Sequence, residues 1–192
     1  MGTRAKETID RTEIRLAGEG GQGMILAGII LAEAAAVYDG QNAVQSQSYG
    51  PEARGGASCA EVVIARGEID HPEVLDADVV VTMSQEAYVK YARNLKPEAL
   101  LIIDEEKVTP AKSASPLKVP MTRIAVETTG RAITANVVAL GVLVGLTGVV
   151  SQQALQKAVA ARAPKGTGEL NRKALQAGFE AAAQLKAAVS KK

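Results

Sequence analysis

The sequence predicts an α/β domain built on a doubly wound, mostly parallel sheet with an antiparallel edge hairpin. Three features predict it. Residues 13–17 alternate as a strand does, Gly18-Glu19-Gly20-Gly21-Gln22-Gly23 puts four glycines into six positions, and residues 24–37 are almost wholly apolar and read as a helix. Strand, tight glycine turn and helix form the opening unit of such sheets. Second, residues 77–83 and 99–104 are short, nearly continuous apolar runs, the pattern of strands buried on both faces. Third, from residue 132 onward the pattern is helical.

The elements follow in order. Residues 42–48 read as the second strand and 57–65, with 67–69 after it, as an antiparallel pair at the edge. Residues 85–94 read as a helix with Tyr88 and Tyr91 one turn apart, both expected in the core. Residues 107–118 contain Pro110 and Pro116 and read as a loop; residues 119–126 can supply a last strand. Residues 132–150 have only Thr134, Asn136 and Thr147 as polar interruptions. The length suits a membrane span, but three glycines and nothing else membrane-like in the chain argue for a soluble helix covered on nearly all sides. Its Gly141-x-x-x-Gly145 face suggests close packing by a neighbouring subunit, and self-association of the isolated chain. Ser151 is a plausible N-cap for residues 152–162, Pro164 to Gly168 break the chain, and residues 169–190 form an Ala-rich amphipathic helix.

Composition narrows the function. The 192 residues are 47% hydrophobic and 22% charged, which suits one globular domain over residues 13–192 with C-terminal helices. Residues 1–12 are charged, lack an apolar core, and read as a flexible N-terminus; the cytoplasm is the expected location. A net charge of +1 argues against a nucleic-acid binder. From Gln152 on there are eight basic against two acidic residues, either a solvated helix or a docking surface for an acidic partner. The single cysteine, Cys59, excludes an internal disulfide and a four-cysteine cluster or zinc site; in its strand-like run it reads as a buried structural thiol. The one histidine, His71, precedes Pro72 in a loop, so no nucleophile–base pair is apparent.

Two stretches carry the candidate site. Gly18, Gly20 and Gly23 fit G-x-G-x-x-G, which raises an NAD(P) or nucleotide site, but the second strand carries Gln45 and Gln47 where an acid should meet a ribose. The second stretch, residues 46–56, gathers Ser48, Tyr49, Glu52, Arg54 and three glycines just beyond a strand. Ligands gather beyond the carboxyl ends of strands in open α/β sheets. The bland reading is a surface turn with a local Glu52–Arg54 pair.

The sequence resembles the gamma subunit of the 2-oxoacid:ferredoxin (acceptor) oxidoreductases. Three blocks carry the resemblance: Gly18 to Gly23, Ser48-Tyr49-Gly50-Pro51-Glu52-Ala53-Arg54-Gly55-Gly56, and Ala135-Asn136-Val137-Val138-Ala139-Leu140-Gly141. The second block looks most like the branches acting on 2-oxoglutarate or branched-chain 2-oxoacids. The resemblance implies a Rossmann-like three-layer α/β/α sandwich. It implies an enzyme complex that converts a 2-oxoacid and coenzyme A to acyl-CoA and CO2 while reducing ferredoxin. Thiamine diphosphate, Mg2+ and [4Fe-4S] clusters would sit on alpha, beta or delta subunits, not on this chain. The gamma chain would dock beside that centre and help bind coenzyme A through Gly18, Gly20, Gly21, Gln22, Gly23, Ser48, Tyr49, Glu52 and Arg54. No catalytic residue and no turnover are expected of the chain alone. A free nucleotide-binding protein and a scaffold without ligand contact are the alternatives.

Overall fold

The computed structural model describes residues 11–49 and 56–189. Six strands form one sheet: β1 (Arg11–Glu19), β2 (Asn42–Tyr49), β3 (Ala57–Ala65), β4 (Ala77–Thr82), β5 (Leu95–Asp104) and β6 (Leu117–Val119). Their order is β2-β3-β1-β4-β5-β6. β3 runs antiparallel to both its neighbours, and β1, β4, β5 and β6 are mutually parallel. β1 thus begins at Arg11, two residues inside the stretch read as a flexible lead.

The edge hairpin exists, but its members differ from the expectation. β3 does not pair with residues 67–69; it pairs with β2 on one side and β1 on the other. The second strand is therefore at the edge, not beside β1. Local apolar pattern cannot distinguish these arrangements, because pairing partners are chosen by the whole sheet.

One face of the sheet is thickly covered. Ile14 and Leu16 of β1, Val79 and Val81 of β4 and Ile102 of β5 point into a core shared with α1 (Met24–Glu33), α3 (Met121–Thr129), α4 (Ala135–Thr147), α5 (Gln152–Arg162) and α6 (Gly168–Val189). α1 is shorter than the apolar run suggested, because the chain widens into a π-helical turn over Ala34–Tyr38. Among the described residues the other face carries only α2 (Gln85–Tyr91) and loops. There Ala17, Ala57, Cys59 and Ala87 cluster, with Tyr91 against them, and Val63, Val74, Ala77 and Val80 form a second small core. Arg15 pins the loops over this face. Its guanidinium donates to Glu61 Oε1 (2.8 Å) and to the carbonyls of Val74 (2.8 Å) and Arg93 (2.7 Å).

Two further elements depart from the sequence reading. Residues 119–126 are not a strand: β6 ends at Val119 and α3 begins at Met121. Pro120 at its N-cap supplies a pre-set φ, and the buried Asp104 accepts from the Thr122 N–H (2.8 Å) and hydroxyl (2.6 Å), satisfying the helix start. The second departure is α4. Its glycine face, expected to receive a neighbouring subunit, is filled by the chain's own α6. A Cβ on Gly141 would lie 2.6 Å from the Leu175 carbonyl, and one on Gly178 only 2.4 Å from the Val138 carbonyl. The two backbones touch because neither helix has a side chain there.

α1 and α2, which follow β1 and β4, lie on opposite faces. The carboxyl ends of β1 and β4 are therefore the topological switch point of the sheet, where a crevice opens by construction.

Candidate functional site

The glycine loop occupies this switch point. It leaves β1 at Glu19 and enters α1 through Gly23, whose φ of 74° is left-handed and suits glycine. Gln22 braces the turn. Its Oε1 accepts from the Glu19 N–H (2.7 Å) and its Nε2 donates to the Met83 carbonyl (3.1 Å) at the end of β4. Much of the amide expected to face a ligand thus ties the two parallel strands together. Gly18 lies against that brace: a Cβ there would come 2.5 Å from Gln22 Oε1.

The second block reaches the same place. The Gly20 N–H donates to the Gly56 carbonyl (3.0 Å), so the glycine loop is bonded directly to the last residue of the 48–56 block. Ser48, exposed at the end of β2, donates to the Tyr91 hydroxyl (3.3 Å), which donates to the Ala57 carbonyl (3.4 Å). The Ala57 N–H donates to Glu86 Oε1 in the first turn of α2 (3.1 Å). Tyr88 and Tyr91, expected in the core, are only half-buried; the Tyr91 ring packs against the small cluster and its hydroxyl joins this hydrogen-bond chain. Tyr49 closes β2 opposite Ser58. Glu52 and Arg54 lie outside the described residues, so their assignment stays an expectation.

The third block closes the arrangement. Asn136, in the first turn of α4, donates through Nδ2 to the Gly23 carbonyl (3.1 Å) and accepts from the Val137 N–H (2.9 Å). A Cβ on Gly23 would lie 2.6 Å from Asn136 Nδ2, so glycine is required on both steric and conformational grounds. Residue-level reading did not give Asn136 a role. The available signal was its place as one of three polar residues in a 19-residue apolar stretch.

Cys59 is fully buried in β3, in the small cluster with Ala87 of α2, and burial pushes its thiol up to about 12. It is a packing residue, as expected. Among the described residues no group of three or more His, Cys, Asp or Glu side chains could hold a metal ion.

Three separated blocks meeting at one switch point point to a single lineage. Residues 13–181 match the family described as pyruvate ferredoxin/flavodoxin oxidoreductase. The chain belongs to this family. It is 49% identical over 179 residues to the 2-oxoglutarate synthase subunit KorC of Methanocaldococcus jannaschii, covering 91% of this chain and 96% of that one. Its fold matches the crystal structure of the keto/oxoacid ferredoxin oxidoreductase gamma subunit from Geobacter sulfurreducens, with a TM-score of 0.82, 49% identity and coverage of 91% and 97%. It also matches the fold of the 2-oxoglutarate:ferredoxin oxidoreductase from Magnetococcus marinus, solved with 2-oxoglutarate, coenzyme A and succinyl-CoA bound. There the TM-score is 0.80 at 23% identity, over 91% of this chain and 31% of that one. The family is the one that the resemblance named, and over nearly its whole length the chain is similar to a gamma subunit of a keto/oxoacid ferredoxin oxidoreductase.

The topology also bears on the nucleotide alternative. The strand beside β1 on the hairpin side is β3, which runs antiparallel and presents its amino end at the glycine loop. A dinucleotide site places the carboxyl end of a parallel strand there, with an acid for the ribose. The described residues offer no such acid on β3 at that end, where Ala57 pairs with Glu19.

Proposed function

We propose that this chain is the gamma subunit of a 2-oxoglutarate synthase, docked beside a thiamine diphosphate centre held by alpha and beta subunits. In this reading the loop 18–23 and the segment 46–56 line the passage by which coenzyme A reaches that centre. The complex converts 2-oxoglutarate and coenzyme A to succinyl-CoA and CO2, and two electrons pass through [4Fe-4S] clusters to ferredoxin. Thiamine diphosphate with its Mg2+ supplies the carbanion-stabilising chemistry on the partner subunits. This chain supplies shape and hydrogen-bond donors.

One observation carries the reading. The three blocks that carry the family resemblance converge through two hydrogen bonds, Gly20 N–H to Gly56 and Asn136 Nδ2 to Gly23, at the carboxyl ends of β1 and β4. A loop braced this fully from inside presents its outer backbone in a fixed shape, which favours a neighbour or ligand over mere chain reversal. The choice of 2-oxoglutarate rests on the 49% identity to a 2-oxoglutarate synthase subunit over nearly the whole of both chains.

Gly21 gives the test. Its φ is 96° and no atom of the described residues lies within 4 Å of where a Cβ would stand, so a side chain there would not enter the described core. Gly21→Val strains the loop by about 1–3 kcal/mol and should leave the chain folded. In complex reconstituted with alpha and beta subunits, it should raise the KM for coenzyme A or depress kcat, with assembly intact. Equal kinetics of mutant and wild-type complexes would remove the loop from the passage. A panel of 2-oxoglutarate, pyruvate and 2-oxoisovalerate, followed by ferredoxin reduction, checks the substrate; preference for either of the latter two would overturn that choice.

A further inference from the structure

The two edges of the sheet are protected unequally. β6, at one edge, is three residues long, carries Lys118 at its centre and lies between Pro116 and Pro120. Shortness, lysine and proline are the devices by which edge strands avoid pairing with another chain. β2, at the other edge, has none of them. It runs eight residues, Asn42-Ala43-Val44-Gln45-Ser46-Gln47-Ser48-Tyr49, without charge or proline, and it keeps one register with β3 throughout. Among the described residues no strand lies beyond it.

The ladder pattern fixes which of its backbone groups are open. The Met83 N–H donates to the Ala17 carbonyl (2.9 Å) and the Glu13 N–H to Asp78 Oδ2 (2.8 Å), so Glu13, Arg15 and Ala17 turn their backbone groups toward β4. Ile14, Leu16 and Gly18 then bond β3 through Val62, Ala60 and Ser58. The alternate residues of β3, Cys59, Glu61, Val63 and Ala65, face β2 and bond it through Ser48, Ser46, Val44 and Asn42. Ala43, Gln45, Gln47 and Tyr49 are left with N–H and C=O turned outward along the edge. The Gln45 side chain stands on the α1 face, where a Cβ on Gly28 would lie 3.7 Å from its Cγ, and Gln47, two residues on, shares that face.

We infer that β2 pairs with β2 of a second copy of this chain, antiparallel about a two-fold axis, so that two sheets become one. Charge selects this occupant. The edge offers a foreign strand no charge to recognise, whereas its own copy brings amides and hydroxyls that both donate and accept, and meets no like-charge penalty. Centred on Ser46, the pairing sets Gln45 against the partner's Gln47 and Ala43 against the partner's Tyr49. Centred on Gln45, it sets Gln45 against the partner's Gln45 and Ala43 against the partner's Gln47. In both registers outward groups meet outward groups. Because β6 is closed to pairing, each chain has one open edge, and the assembly stops at a dimer instead of growing into a fibre.

The experiment is sedimentation equilibrium of the full chain across the micromolar range, for wild type and two double variants: Gln45→Lys with Gln47→Lys, and Gln45→Glu with Gln47→Glu. In either register these set like charges against each other across the joint. Wild type should dimerise. Each double variant alone should dissociate about 10-fold more readily, and an equimolar mixture of the two should dimerise again, because opposite charges then face each other. That recovery separates a joint at β2 from a folding defect. Gln45→Pro removes one outward N–H and no bond to β3, so it too should weaken the dimer. A wild type that stays monomeric, variants that dimerise as wild type does, or a mixture that stays monomeric would each overturn the pairing. A monomer that dimerises once residues 1–10 are removed would assign the edge to the chain's own leading segment. A monomer whose double variants fail to assemble with alpha and beta subunits would assign it to a strand of those subunits. Either result replaces the second copy as the occupant. Sedimentation reads mass and not turnover, so the outcome is separate from that of the passage proposed for coenzyme A.

Discussion

At the scale of single residues, the polar groups buried in this chain act mainly as fasteners. Arg15 is 8% exposed and its fork spans a carboxylate and carbonyls from two separate loops. Arg15→Met should destabilise the chain by about 3 kcal/mol, because Glu61 and several carbonyls lose their donor together. Lys cannot span the same fork, so Arg15→Lys should recover little. Urea denaturation of the three chains reads this directly, and a loss below about 1 kcal/mol would mean the loops are held otherwise. Cys59 gives a second residue-scale expectation. Its folded thiol is raised from 9.0 to about 12, by burial first and the Glu61 charge second. A raised folded value means that the neutral thiol's contribution is whole below pH 9 and is lost as pH rises from 9 toward 12, where the unfolded chain ionises and the folded one resists. The native chain should therefore resist alkylation at pH 8 and react at the rate of global unfolding; fast labelling without denaturant would show that the hairpin opens locally.

At the scale of elements, the contact between α4 and α6 decides how an almost wholly apolar helix stays in water. Ala135 to Val144 are all buried, although the helix carries no charged residue. α6 covers it by bringing backbone against backbone at Gly141 and Gly178. Ala is the better helix former by about 1 kcal/mol, so propensity alone says that Gly178→Ala should stabilise. Geometry says the opposite. A methyl group 2.4 Å from the Val138 carbonyl must push the helices apart, an overpacking cost of about 1–3 kcal/mol that exceeds the propensity gain. The melting temperature of Gly178→Ala should fall; a rise would show that α6 shifts freely. Gly148→Ala, at a left-handed C-cap with open space around it, should lose stability through backbone strain alone and leave α4 and α6 packed.

At the scale of the whole molecule, self-association through the glycine face of α4 loses its motive, since α6 already fills that face. Removing residues 168–192 should expose the α4 surface and produce aggregates in light scattering, while the intact chain at the same micromolar concentration stays smaller. Equal size distributions would mean that α6 is not the cover. Partner contact must then use other surfaces. The basic stretch from Gln152 on offers less free charge than its count suggested: Arg162 pairs with Glu33, Arg172 with Glu169 (2.7 Å), and Lys157 lies over the Tyr38 ring. No helix among the described residues is long and apolar enough to cross a membrane.

The chain's order of residues determined, without any structure, the strand–glycine loop–helix unit, a strand at 77–83 that ends at Thr82, the Ser151 cap and the inert cysteine; the strand read at 99–104 is part of the longer Leu95–Asp104, buried only over its last three residues. Each of these is a local pattern: periodicity, a glycine that must take positive φ, a hydroxyl one turn before a free N–H. The three family blocks were equally visible, because motifs are strings. Tertiary structure alone decided which strands are neighbours, so the hairpin formed from β2 and β3 rather than from β3 and residues 67–69. It decided that Met121 to Thr129 coils, because Asp104, seventeen residues before it in the chain, caps that helix. It turned Gln22 inward to brace β4 and set Asn136 against Gly23. It assigned the small face of α4 to α6. A glycine face records only that something comes close; what comes close is fixed by the path of the chain, and that path minimises exposed apolar surface over the molecule as a whole.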